Sequence, residues 1–303
     1  MIDLHIHGAF GVDVQETGPD GLDFLARGLL SRGVTGFLPT LVPAPLAALA
    51  ASSARLSAWI RSRNVGDGRG AMPLGIHFEG PFVARARCGA LHAGSFRDGS
   101  RPEGLGAFLE AIGDVPGRAM TTLAPEIPGG VAIVRELSRR GWVVAIGHTD
   151  ADSATLDEAR AAGARHMTHF GNAMRPLHQR EPGPIGWGLA TDGVTVDVIA
   201  DRYHLSPGFL RLVLKCKGAG QVAVVSDAVP PAGLPDGRYV VWGETLTLAA
   251  GAVRNAGGGL SGSSSLLDDD VGNLATAAIG LSPEEAQRCA REIPAGILEE
   301  RVP

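Results

Sequence analysis

The chain begins with MIDLHIHG (residues 1–8), a short apolar stretch that contains two histidines one residue apart. Successive side chains of a β-strand point to opposite faces, so a strand here would place His5 and His7 on the same face. Two imidazoles on one face can bind a metal ion together. This stretch therefore predicts a first strand that carries candidate metal ligands at its end.

Seven more apolar, β-branched runs follow, separated by Ala-, Leu- and Arg-rich segments with helical spacing. Residues 22–33, 131–141 and 153–163 are such segments, and each ends in glycine, the usual helix stop. Eight strands that alternate with helices predict an α/β fold, a closed parallel (β/α)₈ barrel of the TIM type. A doubly wound open sheet is the alternative, but no Gly-rich phosphate fingerprint follows the first strand. The predicted strands are IDLHIHG (2–8), VTGFLPTL (34–41), PLGIHFEGPF (73–82), MTTLAPE (120–126), VVAIGHT (143–149), HMTHFGN (166–172), VTVDVIADRYH (194–204) and QVAVVSDA (221–228).

The C-terminal part departs from this alternation. Residues 239–255 contain alternating polar and apolar residues and a Gly-containing turn, which predicts a β-hairpin inserted into the barrel chain. Helices are expected over about 263–280 and 282–300, and Ser282 with Glu285 predicts a capping box at the start of the second. No repeat or low-complexity segment marks a boundary, so all 303 residues are expected to form a single catalytic domain.

The composition excludes several classes of partner. The net charge is −5 and the pI is near 6.0, which does not favour binding to nucleic acid or to an anionic membrane. No apolar run approaches the ~20 residues that span a bilayer, and no secretory signal is expected at the N-terminus. The three cysteines, Cys88, Cys216 and Cys289, are far apart and odd in number, which is typical of a protein of the reducing cytoplasm.

Polar residues recur at the ends of the predicted strands, which is where (β/α)₈ barrels hold their chemistry. Histidines and carboxylates at one concave mouth indicate a divalent metal such as zinc, which lowers the pKa of bound water to about 7. The residues at these ends are His5 and His7 on strand 1, Glu79 on strand 3, His148 on strand 5, His169 on strand 6, His204 on strand 7 and Asp227 on strand 8.

Where two metals share such a site, an anionic group must bridge them. The sequence has only two lysines, Lys215 and Lys217, and neither lies at a predicted strand end. A carboxylated lysine is one group that can bridge two metals in barrel hydrolases, but neither lysine of this sequence is placed to do so. Glu79 can supply the bridge instead. Two other histidines, His77 and His166, are interpreted as hydrogen-bonded core residues, and the acidic run 268–270 as a solvated helix face.

The ligand pattern resembles the amidohydrolase superfamily, and within it several blocks resemble the N-acetylglucosamine-6-phosphate deacetylase family. Glu-Gly-Pro after strand 3 and the Asn-Ala-Met to Arg-Glu-Pro-Gly block are the most specific, and the blocks occur in the family's order from residue 2 to about 298. They are GIHFEGPFV (75–83), GALH (89–92), TLAPE (122–126), GHTDAD (147–152), THFGNAMRPLHQREPG (168–183), IADRYH (199–204), VSDAVPPAG (225–233) and GGLSGSSSLLDDDVGNLA (258–275).

The resemblance implies a metal-dependent hydrolase that converts N-acetylglucosamine 6-phosphate to glucosamine 6-phosphate and acetate. Zn²⁺ is the expected metal, with Fe²⁺ as the alternative, and one or two ions per subunit. By position, Glu79, His148 and His169 would hold the principal metal. His5 and His7 would hold a second ion bridged by Glu79; some family members lack this pair and bind a single ion.

The resemblance also implies the roles of the remaining residues. Asp227 would act as general base and then as general acid, and His204 would polarise the acetyl carbonyl or hold the sugar. Arg180 would bind the 6-phosphate, since a guanidinium fork suits a phosphate, and in the family this arginine tends to come from the partner subunit. A surface arginine is nearly as good an interpretation from the sequence alone. The implied substrate contacts are His92, Asn172, Ala173, Arg180 and His204.

The chain departs from the family in two respects. Phe170-Gly171 stands where the family usually has Leu-Phe. The small β-sandwich domain of the family, built from chain before strand 1 and after the last helix, has no counterpart in residues 1–303. The expectation is a reduced deacetylase that forms a homodimer, with the 239–255 hairpin against the barrel flank or the other subunit.

Other functions remain open at this point. The same reaction on N-acetylgalactosamine 6-phosphate or on an N-acyl amino acid is the nearest alternative, and Arg180 argues against the amino acid. A non-catalytic truncated homologue that binds sugar phosphate is the alternative from a different class. The complete set of metal-type residues with Asp227 argues against that alternative.

Overall fold

The computed structural model describes residues 1–100 and 102–299. The strands are β1 (Ile2–Ile6), β2 (Gly8–Ala9), β3 (Val12–Asp13), β4 (Gly36–Leu41), β5 (Met72–Pro73), β6 (Gly75–Glu79), β7 (Arg118–Leu123), β8 (Val143–Ile146), β9 (His166–Met167), β10 (Thr195–Val198), β11 (Val222–Val224), β12 (Gly237–Val241), β13 (Glu244–Ala249) and β14 (Ala252–Arg254). The α-helices are α1 (Pro19–Ser31), α2 (Leu46–Arg61), α3 (Pro102–Ile112), α4 (Gly130–Arg139), α5 (Ser153–Ala162), α6 (Gly183–Ala190), α7 (Pro207–Lys217), α8 (Leu267–Leu274), α9 (Pro283–Cys289) and α10 (Glu292–Glu299).

Eight parallel strands form the barrel that the sequence predicts. Their order around the sheet follows the chain, β1-β4-β6-β7-β8-β9-β10-β11, and β5 pairs with β4 outside this path. The ring closes between its last and first members, because the Asp227 N–H donates to His5 O at 2.9 Å and the His7 N–H donates to Ala228 O at 2.8 Å. All eight predicted strands, and the three quoted helices, are confirmed.

Two layers of apolar side chains hold the barrel together. Inside it, residues such as Leu4, Leu38 and Met120 form a fully buried cluster, against which Ile297 and Leu298 of α10 also pack. The larger core lies between the outer face of the strands and the surrounding helices. Burying one such large apolar side chain contributes about 1.5–3 kcal/mol, so these layers fix the positions of the strand ends.

Most strands are shorter than their predicted runs, and several predicted site residues lie beyond the strand ends. His148, His169 and Asp227 have φ angles of 48°, 32° and 48°, a left-handed backbone that cannot continue a strand. His204 lies in a turn six residues past Val198, the last residue of β10. The prediction that these residues end strands is therefore corrected: they occupy the first turns after the strands.

The predicted hairpin is a three-stranded antiparallel sheet of β12, β13 and β14. Two tight turns connect its strands, Trp242-Gly243 with φ angles of 52° and 78°, and Ala250-Gly251 with 49° and 83°. Positive φ at both central residues is the signature of the turn that suits strand twist. The sheet lies at the barrel mouth and not on the flank, since Trp242 lines the central cavity.

The two C-terminal helices also differ from their predictions. The first is only α8, because Ser263 pairs in extended conformation with Ala228 and so cannot be helical. The second divides into α9 and α10, because Pro294 lacks the N–H that a continuous helix needs but is tolerated in a first turn. The Ser282–Glu285 capping box is confirmed, and residue 300, at the predicted end, lies outside the described residues.

The acidic run at the start of α8 is only partly solvated. Asp268 and Asp269 form ion pairs with Arg32, with shortest oxygen-to-nitrogen distances of 2.9 and 2.8 Å. Asp270 is fully buried, and burial together with the nearby Asp201 raises the pKa of its carboxyl well above the usual range. The prediction of a solvated face is wrong for Asp270. His77 and His166 are buried and hydrogen-bonded, as expected of core histidines.

Candidate active site

A cavity of about 220 Å³ opens where the barrel strands end at their carboxyl termini. His5 lies fully buried directly behind His7. The predicted site residues that line the cavity are His7, Glu79, His148, His169, Asn172, Ala173, His204 and Asp227. The fold thus brings together residues that are up to 220 positions apart in the sequence, from the ends of six barrel strands and the turns that follow them.

One group of ligand-type atoms consists of Glu79, His148 and His169. Glu79 Oε1 lies 2.9 Å from His148 Nε2 and 3.0 Å from His169 Nε2, and the two Nε2 atoms are 3.1 Å apart. All three side chains are buried. These atoms converge closely enough to act as ligands of one ion.

A second group consists of His5, His7 and Asp227. The Nε2 atoms of the two histidines are 3.1 Å apart, and Asp227 Oδ1 lies 3.4 Å from His5 Nε2 and 3.2 Å from His7 Nε2. Glu79 lies between the two groups, because its Oε2 is 3.3 Å from His7 Nε2 while its Oε1 faces the first group. The two carboxylate oxygens of Glu79 can therefore contact ions held by different groups.

Hydrogen bonds on the far side of the rings fix which nitrogen faces the cavity. His7 Nδ1 lies 3.1 Å from Thr40 O, and His148 Nδ1 lies 2.8 Å from Arg87 O. A carbonyl oxygen only accepts, so Nδ1 is the donor in both rings, and Nε2 faces the cavity, where its lone pair is available to a metal once its proton is lost. This is the outer-shell arrangement that orients histidine ligands in metal sites.

The electrostatics of the site favour a cation. Glu79 and Asp227 are both buried, and no lysine or arginine is among the described residues that line the cavity. Burial lowers the pKa of His7, but its contacts with Asp227 and Glu79 outweigh this and raise the pKa to about 10. Burial also lowers the pKa of His169, but its contact with Glu79 above all outweighs this and raises the pKa to about 9. The nitrogen and oxygen donors therefore fit a divalent metal such as zinc.

Backbone conformation contributes to this geometry in a way that sequence reasoning missed. His148, His169 and Asp227 all have positive φ, which costs free energy in non-glycine residues and persists where the surrounding fold enforces it. Before His148, a Cβ on Gly147 would lie 2.6 Å from Thr168 Cγ2 and 2.7 Å from Thr122 Cγ2. The chain has room only for glycine at that position.

Asp197 is a further residue that the sequence analysis missed. Its carboxylate is fully buried and accepts hydrogen bonds from the backbone N–H of His169 and from Thr168 Oγ1 at 3.2 Å. His166 Nε2 lies 2.7 Å from the same carboxylate. Asp197 therefore holds the turn that presents His169, and the core histidine His166 supports it.

Asp201 holds His204 in the same manner. Its Oδ2 lies 2.8 Å from His204 Nδ1, and its Oδ1 accepts the backbone N–H groups of Tyr203 and His204 at 2.9 Å. Burial raises the pKa of Asp201, but the contacts with His204 and the backbone outweigh this, so the pKa lies below its usual range. The three-residue spacing between this carboxylate and the histidine is the only sequence signal that could have identified the pair.

The predicted substrate contacts divide into two sets. Asn172 and Ala173 line the cavity, together with Leu260 and Gly262, which the sequence analysis missed. His92 lies outside the lining, 41% exposed, with its Nδ1 3.7 Å from Glu244 Oε1. Arg180 is exposed on the loop before α6 and is not brought to the cavity of its own chain.

The fold and the site together define a class of protein. Metal-dependent hydrolases of the amidohydrolase type are parallel (β/α)₈ barrels with histidine–carboxylate groups at the C-terminal mouth, and this chain has both features. In the described part of the chain, no helix has the length and apolar character needed to cross a membrane.

Comparisons with known proteins narrow this class. The chain is 36% identical over 264 residues to N-acetylglucosamine-6-phosphate deacetylase of Bacillus subtilis (strain 168), covering 87% of this chain and 65% of that protein. It is 36% identical over 302 residues to N-acetylgalactosamine-6-phosphate deacetylase of Escherichia coli O157:H7, covering 98% and 76%. The chain belongs to the N-acetylglucosamine-6-phosphate deacetylase family.

A solved structure agrees with this family. It is that of an N-acetyl-D-glucosamine-6-phosphate deacetylase mutant from Mycobacterium smegmatis in complex with N-acetyl-D-glucosamine-6-phosphate. The TM-score is 0.87 at 32% identity, and the match covers 98% of this chain and 76% of that one. No protein-family model matches the chain. The chain thus spans about two thirds to three quarters of the length of these relatives.

Proposed function

We propose that this protein hydrolyses the N-acetyl group of N-acetylglucosamine 6-phosphate to give glucosamine 6-phosphate and acetate, a step of amino-sugar catabolism. The observation that carries the proposal is the position of Asp227, whose carboxylate lies at the paired ligand groups and also lines the cavity where a substrate amide would sit. Membership of the deacetylase family supports the same reaction.

The metal would be held by Glu79, His148 and His169, and a second ion by His5, His7 and Asp227 with Glu79 between them. We propose Zn²⁺, with Fe²⁺ as the alternative, because both accept imidazole and carboxylate ligands. When bound, the metal supplies Lewis-acid polarisation of the amide carbonyl and a lowered pKa for water. Side chains of the protein would carry out the proton transfer and position the substrate.

Asp227 would move the proton. Its carboxylate takes a proton from the attacking water as the new C–O bond forms at the acetyl carbon. It then gives that proton to the amide nitrogen as the C–N bond breaks, so that acetate and the free amine leave. Only 8% of Asp227 is exposed, which keeps bulk solvent from competing for this proton.

His204 would position the acetyl carbonyl. Asp201 holds its Nδ1, which turns the other side of the ring towards the cavity that His204 lines. From there the protonated imidazolium, with Nδ1 donating to Asp201, can donate from Nε2 to the carbonyl oxygen and stabilise the charge that develops on it during attack. Asn172 and Ala173 line the same cavity and would contact the sugar.

The phosphate would need a cation that the cavity lining does not contain. Since no described lining residue is arginine or lysine, a cationic side chain for the phosphate would come from outside the cavity of the subunit itself. We propose Arg180, donated from the exposed loop of the partner in a homodimer. The three free cysteines support a reducing compartment such as the cytoplasm.

A second candidate substrate is N-acetylgalactosamine 6-phosphate, because one relative of 36% identity carries that name. The test is to measure acetate release from both epimers, with metal content determined on the same sample. We expect turnover of the glucosamine epimer that disappears on chelation and returns when zinc is added. Faster turnover of the galactosamine epimer would assign that substrate, and no acetate from either would overturn the proposal.

A further inference from the structure

The mouth of the catalytic cavity has an apolar side and a polar side. Val42 follows β4 and Val229 follows β11, the two strands that flank β1 in the barrel. Both are almost completely buried, at 4% and 1% exposure. On the adjoining arc, Asn172 follows β9 and His204 follows β10, the neighbour of β11, and both offer hydrogen-bonding groups to the cavity.

Trp242 completes the apolar side from outside the barrel. It is the first residue of the β12–β13 turn, where a φ of 52° directs the chain back over the mouth. Its indole meets the His7 ring edge to face, with ring centroids 5.3 Å apart and an interplanar angle of 84°. It also packs against the apolar cluster that joins Val229 to the sheet.

Given the proposed function, the chemistry of the substrate indicates which part of it faces each side of the mouth. The acetyl carbonyl carbon carries two substituents besides its oxygen. One is the amide nitrogen, which bears the sugar, and the other is the methyl group, and they point away from each other. The sugar hydroxyls require hydrogen-bonding partners, which Asn172 and His204 provide. The methyl group requires none, and apolar contacts of the kind that Val42, Val229 and Trp242 offer suit it.

We propose that Trp242, with Val42 and Val229 behind it, forms the wall that contacts the acyl methyl and restricts the enzyme to acetyl groups. This inference deepens the proposed function and rests on it. Trp242 acts as a specificity-determining residue and takes no part in proton transfer. An acyl chain longer by one methylene would have to displace the indole from its contact with His7.

The experiment compares N-acetyl-, N-propionyl- and N-butyryl-glucosamine 6-phosphate as substrates of the metal-loaded enzyme. We expect wild-type kcat/KM to fall by about 10-fold or more for the first added methylene, the size of effect that one methylene has in an apolar pocket. In Trp242→Ala the ratio of propionyl to acetyl kcat/KM should rise by about the same factor. Val240→Ala is the matched control, since Val240 lies on the same sheet but is 78% exposed, and its ratio should not change.

The ratio is measured within each preparation, so it does not depend on the fraction of folded enzyme. Trp242→Leu, which keeps an apolar residue of smaller size, should shift the ratio in the same direction. It replaces Trp242→Ala in the experiment if the alanine variant is insoluble. An unchanged ratio in these variants, or equal wild-type rates on the three acyl groups, would overturn the role of Trp242. Absence of amine release from all three substrates would instead overturn the proposed function, and the inference with it.

Discussion

Asp227 has two candidate roles. It is a candidate metal ligand beside His5 and His7, and it is the candidate proton carrier at the cavity surface. Asp227→Asn keeps the size of the side chain but removes its basicity. We expect kcat to fall by about 10³-fold or more, because a general base contributes roughly 10²–10⁴-fold and this residue acts twice. The ion at Glu79, His148 and His169 should remain, which metal analysis of the variant checks. Near-normal turnover would remove Asp227 from the mechanism.

Asp201 offers a test of how His204 is positioned. In wild type one oxygen of Asp201 accepts two backbone N–H groups and the other accepts from His204 Nδ1. An asparagine has only one accepting oxygen, so in Asp201→Asn the imidazole ring loses its fixed orientation. We expect kcat to fall by up to about 10⁴-fold with little change in melting temperature, the effect of the same substitution at a carboxylate that orients a catalytic histidine. Asp20→Asn, an exposed residue of α1, is the control. A loss of stability in proportion to activity would indicate a purely structural carboxylate.

At this scale the sequence predicted the candidate ligands at the barrel mouth and missed the residues that support them. His5, His7 and Glu79 could be found because period-two strands place ligands on one face and barrel chemistry lies at strand ends. Asp197 and Asp201 could not, because their roles depend on turns that bring a carboxylate onto a neighbouring backbone N–H. Trp242 was missed for a similar reason, since a left-handed turn alone directs it to the cavity.

Among the secondary-structure elements, the β8–α5 connection carries the most demanding geometry. A Cβ at Gly147 would collide with methyl groups of Thr168 and Thr122. We expect Gly147→Ala to lower the free energy of unfolding by about 1–3 kcal/mol, the usual cost of overpacking, and to weaken metal retention through His148. Urea denaturation with metal analysis measures both quantities.

Gly106→Ala provides the matched control for that substitution. Gly106 lies in α3 with an exposed side and no atom within 4 Å of an added Cβ. Alanine there should be neutral or stabilise the helix by up to about 1 kcal/mol. If the two variants had equal stability, the close packing at Gly147 would not be a constraint on the fold.

The C-terminal elements show where pattern reasoning was incomplete. Alternation over residues 245–248 correctly predicted a strand, but the second turn of the sheet has Ala250 at positive φ, a position that sequence rules reserve for glycine or asparagine. Asp270 was misjudged because a run of three acids is usually solvated, whereas a helix turns its third residue towards the core. In both cases tertiary packing overrides the local preference.

At the scale of the whole molecule, the position of Arg180 is the main prediction. Because this arginine is exposed and the described cavity lining contains no cation, we expect catalysis of the phosphorylated substrate to require two subunits. Arg180→Ala should lower kcat/KM for N-acetylglucosamine 6-phosphate by about 100-fold and affect unphosphorylated N-acetylglucosamine little, since a charge-assisted contact is lost. Equal losses on both substrates would make Arg180 structural.

Mixing two inactive variants tests whether this arginine crosses between subunits. A chain with Arg180→Ala retains Asp227, and a chain with Asp227→Asn retains Arg180. Mixed dimers would contain one complete site, so activity should return on mixing and appear at the dimer mass in light scattering. No recovery, or a fully active monomer at micromolar concentration, would contradict the shared site.

The central claim is a paired metal centre that performs deacetylation, and one measurement tests it most directly: metal content and acetate release determined on the same sample of enzyme loaded with zinc. The two ligand groups predict about two ions per chain in the wild type and about one in a His5→Gln, His7→Asn double variant, with acetate released from N-acetylglucosamine 6-phosphate only by metal-loaded protein. A wild-type enzyme that binds a single ion even in excess zinc, or one that releases acetate without metal, would contradict the account.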